Sequence, residues 1–263
     1  MMITTESISA AAEKWFGIKA DPGDLEKMRL WLLESCGEGG PDGACETGSE
    51  ILEKAFLSGK AAAFLTVNET YFFREPVHFS FLWELLPSFG NTTLQICSAA
   101  VASGCEAYSI AMMIEAYNKD AGKPIAYHID AFDINPMVIE TAKKGIYSLR
   151  TLREDGSVLH HMTEPYLLKS DSALHIDMEL AKNISFFVHN LMHELPSKDY
   201  DLIFFRNAFI YFTPQNRGKV LSNLSCSLKE GGILIMGVSE TAQAGHTDFS
   251  AKNKNDVFYF QKT

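Results

Sequence analysis

A chain of 263 residues that is 46% hydrophobic and 21% charged can bury one large core plus a small accessory domain, which excludes disordered and fibrous classes. Its net charge of −10 at pH 7 opposes a phosphate backbone or an anionic bilayer, and no basic patch offsets it, so nucleic acid and non-specific membrane binding are not expected. Cys36, Cys45, Cys97, Cys105 and Cys226 form no CxxC pair, no secretory pattern opens the chain, and no apolar run approaches the roughly 18 residues of a membrane span, so a reducing cytoplasm is the expected location.

Apolar residues recur at three- and four-residue spacings over residues 8–16 and 25–33, which predicts two short amphipathic helices. A glycine-rich loop is expected over 36–48, then a helix over 49–57 with Ser49 as its cap. These elements form a small helical domain, residues 1–64, and residues 65–263 form the second domain.

From His78 onward short apolar runs alternate with helical stretches, the pattern of βα units building a mostly parallel sheet. Residues 94–98 are the first strand, 108–117 its helix and 125–132 the second strand. Asn135 as a cap and Pro136 in the first turn open a helix that Gly145 ends. Residues 147–182 predict a helix and a small β excursion. Strands follow at 184–189 and 202–205, then a helix from Thr213-Pro214 to about residue 228. A turn at Glu230-Gly231-Gly232 leads into a strand at 233–237, and the last strand, 256–261, is expected to pair antiparallel.

The loop from Ser98 to Ser109 leaves a strand and opens a helix, the place in an open α/β sheet where a nucleotide-like ligand sits. Its small residues permit close approach of a ligand, and amides at a helix start can face a carboxylate. A tight turn without ligand explains the loop equally well. It contains no GxGxxG, which argues against a nicotinamide cofactor. Asp133, 29 positions after Gly104, ends the second strand, where a carboxylate can accept ribose hydroxyls. The plainer reading of Asp133 is a loop residue. His78, His128, His189 and His193 show no metal-ligand spacing.

Six segments carry a further signal: Asn68-Glu69-Thr70-Tyr71-Phe72-Phe73-Arg74-Glu75; Ser98-Ala99-Ala100 with Gly104, Glu106, Tyr108 and Ser109; Asp133-Ile134-Asn135; His189-Asn190-Leu191; Phe205-Arg206-Asn207-Ala208-Phe209-Ile210-Tyr211-Phe212; and Gly237-Val238-Ser239-Glu240. In this order they resemble the motifs of the CheR-type chemotaxis-receptor glutamate methyltransferases. The resemblance implies a doubly wound, seven-stranded, Rossmann-like α/β domain that uses S-adenosylmethionine and releases S-adenosylhomocysteine. It also implies a protein acceptor, the cytoplasmic region of a chemoreceptor or another signalling protein.

By the same resemblance Asn68, Thr70 and Arg74 line the cofactor and acceptor pocket, and Ala99 and Cys105 belong to its glycine loop. Asp133 holds the ribose, Asn190 and Leu191 flank the adenine, Arg206 and Asn207 complete the wall, and Tyr211 points at the methyl-transfer centre. A guanidinium at Arg74 suits the chemistry, since it can align a carboxylate acceptor through a charge-assisted hydrogen bond. Its plainer reading is a surface ion pair with Glu75. Phe209 and Phe212 are expected in the core.

Two departures from the family pattern stand out. Cys105 replaces a glutamate expected to face the cofactor's amino-acid end, which predicts weaker binding. Residues 1–60 carry six Lys and Arg against eleven Asp and Glu, where the family has a basic docking face. Rival readings are a non-catalytic cofactor-binding regulatory module and a small-molecule methyltransferase.

Overall fold

Hydroxyl side chains start two of the N-terminal helices. In a computed structural model, which describes residues 3–37, 47–89, 92–153, 159, 164–197, 199–240, 248–255 and 257–263, the Thr4 side chain accepts from the Ser7 amide and opens α1 (Thr5–Phe16). α2 (Pro22–Gly37) runs past its predicted end, and residues 38–46 of the predicted glycine-rich loop lie outside the described residues. α3 (Gly48–Leu57) is capped by Thr47 rather than Ser49. The Thr47 hydroxyl takes the Glu50 amide while the Glu50 carboxylate accepts the Thr47 amide at 2.8 Å, a reciprocal capping box. A short α4 (Ala62–Leu65) and α5 (Pro76–Leu85) follow.

The βα series comes next: β1 (Leu94–Ala99), α6 (Cys105–Asp120), β2 (Tyr127–Asp133) and α7 (Pro136–Lys144). The Asn135 side chain caps α7 by accepting the Met137 amide at 3.0 Å, and Gly145 ends it. The β excursion is a three-stranded antiparallel sheet of β3 (Ile146–Ser148), β4 (Leu167–Lys169) and β5 (Ala173–Ile176), in the order β3-β5-β4. After it come α8 (Met178–Ala181), β6 (Ile184–Val188), β7 (Tyr200–Phe205), α9 (Pro214–Ser227), β8 (Leu228–Met236), β9 (Phe249–Lys254) and β10 (Val257–Lys262).

The main sheet has seven strands in the order β6-β2-β1-β7-β8-β10-β9. The first five run parallel, and β10 is antiparallel to both β8 and β9. Two expectations are corrected here. The glycines at 231 and 232 do not precede a strand but lie inside β8, whose register against β7 shifts between Tyr200 and Leu202; Gly231 adopts φ 74°, so an irregularity in the strand replaces the expected turn. The edge strand β9, largely exposed and polar, was not anticipated.

Alternation along the central strands explains the two-layered burial. Ile96, Leu202, Phe204, Ile233 and Ile235 face a core shared with α5, α6 and the small sheet. Their neighbours Cys97, Ile203, Phe205, Leu234 and Met236 face the other core, which is shared with α1 to α4 and α9. Strands buried on both faces in this way read as continuous apolar runs. The N-terminal helices thus share the apolar core on one face of the sheet. Strand order reverses at β1, flanked by β2 and β7, and a crevice opens there beyond the strand ends. Among the described residues no helix is long and apolar enough to cross a membrane.

Candidate active site

One carboxylate fastens the two loops at the head of the crevice. Asp133 Oδ2 accepts the Ala102 amide and Oδ1 the Asn135 amide, both at 2.9 Å. Ala100 and Ala102 are thereby held at φ 59° and 50°, a left-handed conformation that costs an L-residue roughly 1–2 kcal/mol. Burial pushes the Asp133 carboxyl above its ordinary value, against the bonds from the Asn135, Ala102 and Ile134 amides. An ionised carboxylate has about four acceptor positions, so two remain for a ligand's hydroxyls.

The opposite wall is an ionic network around Arg206, whose side chain is 2% exposed. Nη1 donates to Glu106 Oε2 at 3.0 Å, and Nη2 donates to the Arg74 carbonyl and to Glu75 Oε2, the latter at 3.2 Å. The Asn207 side chain donates to Glu75 Oε1 at 2.9 Å. Glu106 also accepts the Ser98 hydroxyl at 2.6 Å. Burial works to raise the Glu75 carboxyl, but His78 at 3.3 Å, Arg206 and Asn207 together hold it well below the usual carboxylate range. Glu240 braces the loop after β7 by accepting the amides of Asn207 (2.7 Å), Gly237 (3.1 Å) and Ile210 (3.2 Å). Burial raises its carboxyl despite those bonds.

Two buried aromatics seat the 68–75 segment over the cleft. The Phe72 amide donates to the Thr151 carbonyl and the Phe73 amide to Ser109 Oγ, both at 3.0 Å, while both rings lie in the core under the segment. Asn68, Thr70 and Arg74 line the cleft as a result. Arg74 donates to the Glu69 carbonyl at 2.9 Å; Glu75, expected as its ion-pair partner, is engaged by Arg206 instead.

The remaining wall comes from the N-terminus. Ile18 forms an antiparallel bridge with Phe212, the Lys19 amide donates to the Tyr211 carbonyl, and the Thr213 amide donates to the Gly17 carbonyl, both at 2.9 Å. Asn190 donates its side-chain amide to the Trp15 carbonyl at 2.7 Å and accepts the Met192 amide at 2.9 Å. Its side chain therefore ties the loop after β6 to α1.

The walls enclose an open cleft of about 1000 Å³, mouth included. Asn68, Thr70, Arg74, Asp133, Asn190, Leu191, Arg206, Asn207 and Tyr211 all line it. Ala99 does not: it is 1% exposed in the core behind the loop, and its neighbour Ala100 lines the cleft. Cys105 does not either. It points into the opposite core, is 0% exposed, and burial pushes its thiol up to about 12. One residue along a helix turns the side chain by about 100°, and Glu106 is the group that reaches the cleft. The expected loss of a cofactor-facing carboxylate is corrected accordingly. Phe16, Ile18, Phe132, Ile134 and His189 also line the cleft and were not singled out as site residues. Phe16 and Ile18 carry no chemical signal in sequence, whereas Glu106 stood within a quoted motif.

Residues 68–258 match the family model described as CheR methyltransferase, SAM binding domain. A chemotaxis protein methyltransferase of Vibrio parahaemolyticus is 35% identical over 190 residues, covering 70% of this chain and 68% of the relative. The protein of that name in Borreliella burgdorferi is 35% identical over 190 residues, 67% of this chain and 65% of its own. In Listeria monocytogenes the corresponding figures are 31% over 215 residues, 80% and 79%. With the sheet order, the cleft at its switch point and this match over most of the chain, the protein belongs to the CheR family of S-adenosylmethionine-dependent methyltransferases.

Proposed function

We propose that the enzyme methylates glutamate side chains of a protein acceptor, the cytoplasmic region of a chemoreceptor, and that it acts in the cytoplasm. The observation that carries this reading is that Arg74 and Tyr211 line the same cleft as the carboxylates of Glu106 and Asp133. A cation suited to a carboxylate acceptor and anions suited to a cationic cofactor thus line one cavity.

The donor set fits S-adenosylmethionine. Glu106, oriented by Ser98 and Arg206, would take the ammonium group. Asp133 would take ribose hydroxyls with its remaining lone pairs, and Phe132, Ile134 and Leu191 supply an apolar slot for the adenine. When bound, the cofactor would supply a sulfonium methyl for transfer to an acceptor carboxylate oxygen, the carbon–sulfur bond breaking with its electron pair left on sulfur, so that the products would be a methyl ester and adenosylhomocysteine. Arg74 would align the acceptor carboxylate and hold it ionised. Burial raises the Tyr211 phenol above its ordinary value, so Tyr211 stays protonated and acts as a hydrogen-bond donor, not a base. The protein's contribution is alignment and electrostatics.

Residues 1–64 act in this reading as an acceptor-docking unit. With five more acids than bases in the first 60 residues, they favour an acceptor surface that is neutral or basic there. Of the two features behind the non-catalytic alternative, Cys105 as a missing carboxylate and the acidic N-terminal region, the first falls away with Glu106 in the cleft.

Incubation with methyl-labelled cofactor and a chemoreceptor cytoplasmic fragment tests the reading. Label should enter the fragment and leave it as methanol in base. Base-stable label, or none, refutes a glutamate ester. Arg74→Ala should cut kcat/KM for the acceptor at least about tenfold, with adenosylhomocysteine affinity within about twofold of wild type.

A further inference from the structure

A carboxylate of the protein's own already stands at the mouth of the cleft, held by a cation outside the recognised motifs. Glu69 lines the cleft with Arg74 and Tyr211, and its carboxylate receives Arg153 Nη2 at 2.6 Å. Arg153 comes from the segment that follows β3, 84 positions away in sequence. Its guanidinium lies 4.1 Å from the centre of the Tyr71 ring, and that of Arg74 lies 5.7 Å from the same ring. One aromatic side chain therefore lies against both guanidiniums at the mouth, with Glu69 joined to each: to Arg153 through its carboxylate, and to Arg74 through its backbone carbonyl.

The three charges interact. Hydrogen bonding and charge from Arg153, with a smaller contribution from Arg74, lower the Glu69 carboxyl. The Arg153 and Glu69 side chains are 46% and 56% exposed. A pair so open to water contributes little to the fold and exchanges partners readily. In the reaction proposed above, the incoming group is itself a glutamate carboxylate on a flexible stem, chemically the same as the group Arg153 now holds.

We propose that Arg153 is a second binding cation for the acceptor, receiving its carboxylate at the rim of the cleft, and that Glu69 is a resident stand-in which the acceptor displaces. The inference rests on the protein-glutamate reading. Arg153 would capture and hand on, while Arg74, deeper along the same aromatic ring, aligns. Glu69 keeps the rim from presenting two bare guanidiniums to passing anions, and so favours acceptors whose other contacts offset its displacement.

Transfer of labelled methyl to a purified chemoreceptor cytoplasmic fragment, followed over a range of fragment concentrations, tests this with Glu69→Gln and Arg153→Met. Both substitutions break the same ion pair, so a merely structural bridge moves both variants in one direction. Displacement moves them oppositely: the KM for the fragment falls about threefold in Glu69→Gln and rises about threefold to fivefold in Arg153→Met, fold-changes in keeping with an exposed ion pair. In Arg153→Met, kcat and adenosylhomocysteine affinity by calorimetry stay within about twofold of wild type, and Arg153→Lys recovers part of the loss. High salt shrinks the gap between wild type and Arg153→Met. KM values that move together or not at all, while wild type still forms base-labile ester, overturn the displacement proposal and leave the glutamate reading standing. No base-labile ester from wild type overturns that reading, and the proposal with it. Should Arg153→Met melt early, the comparison of Arg153→Lys with Glu69→Gln carries the same opposed prediction.

Discussion

Asp133 fastens two loops with one carboxylate, and the proposed ribose contact would be its second task. Asp133→Ala removes both amide bonds that fasten the loops after β1 and β2. It should therefore lower the melting temperature as well as adenosylhomocysteine affinity, each charged bond being worth roughly 1.5–3 kcal/mol. Wild-type affinity in a folded variant would leave Asp133 a loop fastener only. At Cys105 the prediction runs against introducing the family's glutamate. Because Cys105 is 0% exposed among apolar neighbours, Cys105→Glu should destabilise the fold by at least about 2 kcal/mol without tightening the cofactor. Glu106→Gln should instead weaken adenosylhomocysteine about tenfold to a hundredfold, the loss of a charge-assisted bond to an ammonium; paired calorimetry and melts of the two variants check both statements. Chemical type was legible at these positions: the sequence shows a cysteine where a carboxylate is expected and a glutamate next to it. Which of the two faces the cleft depends on the rotation of α6 as it leaves β1, and α6 is held by the core it shares with distant residues and by the bond from the Phe73 amide to Ser109, which is long-range information.

At the scale of elements, local signals were read correctly where a cap or a period was strong. Asn135-Pro136 and Gly145 bound α7 as expected. The central strands were found because burial on both faces gives unbroken apolar runs. β9 escaped because FSAKNK has neither alternation nor burial, its strand state depending on pairing with β10. The same reason hid the segment at residues 17–19. Nothing in Gly-Ile-Lys announces a strand, and it becomes one residue of β-bridge only because Phe212 is across from it. That segment yields a prediction. Gly17 sits at φ 74°, and a Cβ there would lie 2.3 Å from Met192 Sδ. Gly17→Ala should cost about 1–2 kcal/mol in stability, mainly from the left-handed backbone, since the Met192 side chain can swing away. It should also weaken adenosylhomocysteine binding, because Phe16 and Ile18 line the cleft. Calorimetry showing wild-type affinity in the variant would remove these residues from the cofactor's surroundings.

For the molecule as a whole, buried titratable groups predict how stability follows pH. Burial lowers His78 and His189 below the ordinary imidazole value of 6.5. Between that value and their lower folded values the unfolded chain binds more protons, so stability is lost as pH falls through this window. Glu75, depressed by its partners, contributes stability above the ordinary carboxylate range that is lost only in strong acid. Asp133 and Glu240 are raised, so each favours the fold when protonated and withdraws that contribution as pH climbs through its raised value. Urea midpoints should therefore fall between about pH 7 and pH 5.5, and His189→Gln should flatten part of that fall. An unchanged slope in the variant would show that His189 does not contribute. The cleft spans material far apart in the chain, from Phe16 to Phe212, and the matched family region begins only at residue 68. Its near wall, residues 16–18, is hydrogen-bonded into the loop that carries Tyr211. Whatever grips α1 thus also grips one wall of the cleft. Reciprocity then fixes the exchange: if seating adenosylmethionine strengthens the hold of a partner on α1 by some factor, that partner strengthens the hold on adenosylmethionine by the same factor, and conversion to adenosylhomocysteine changes the partner's grip by the ratio of the two ligands' factors.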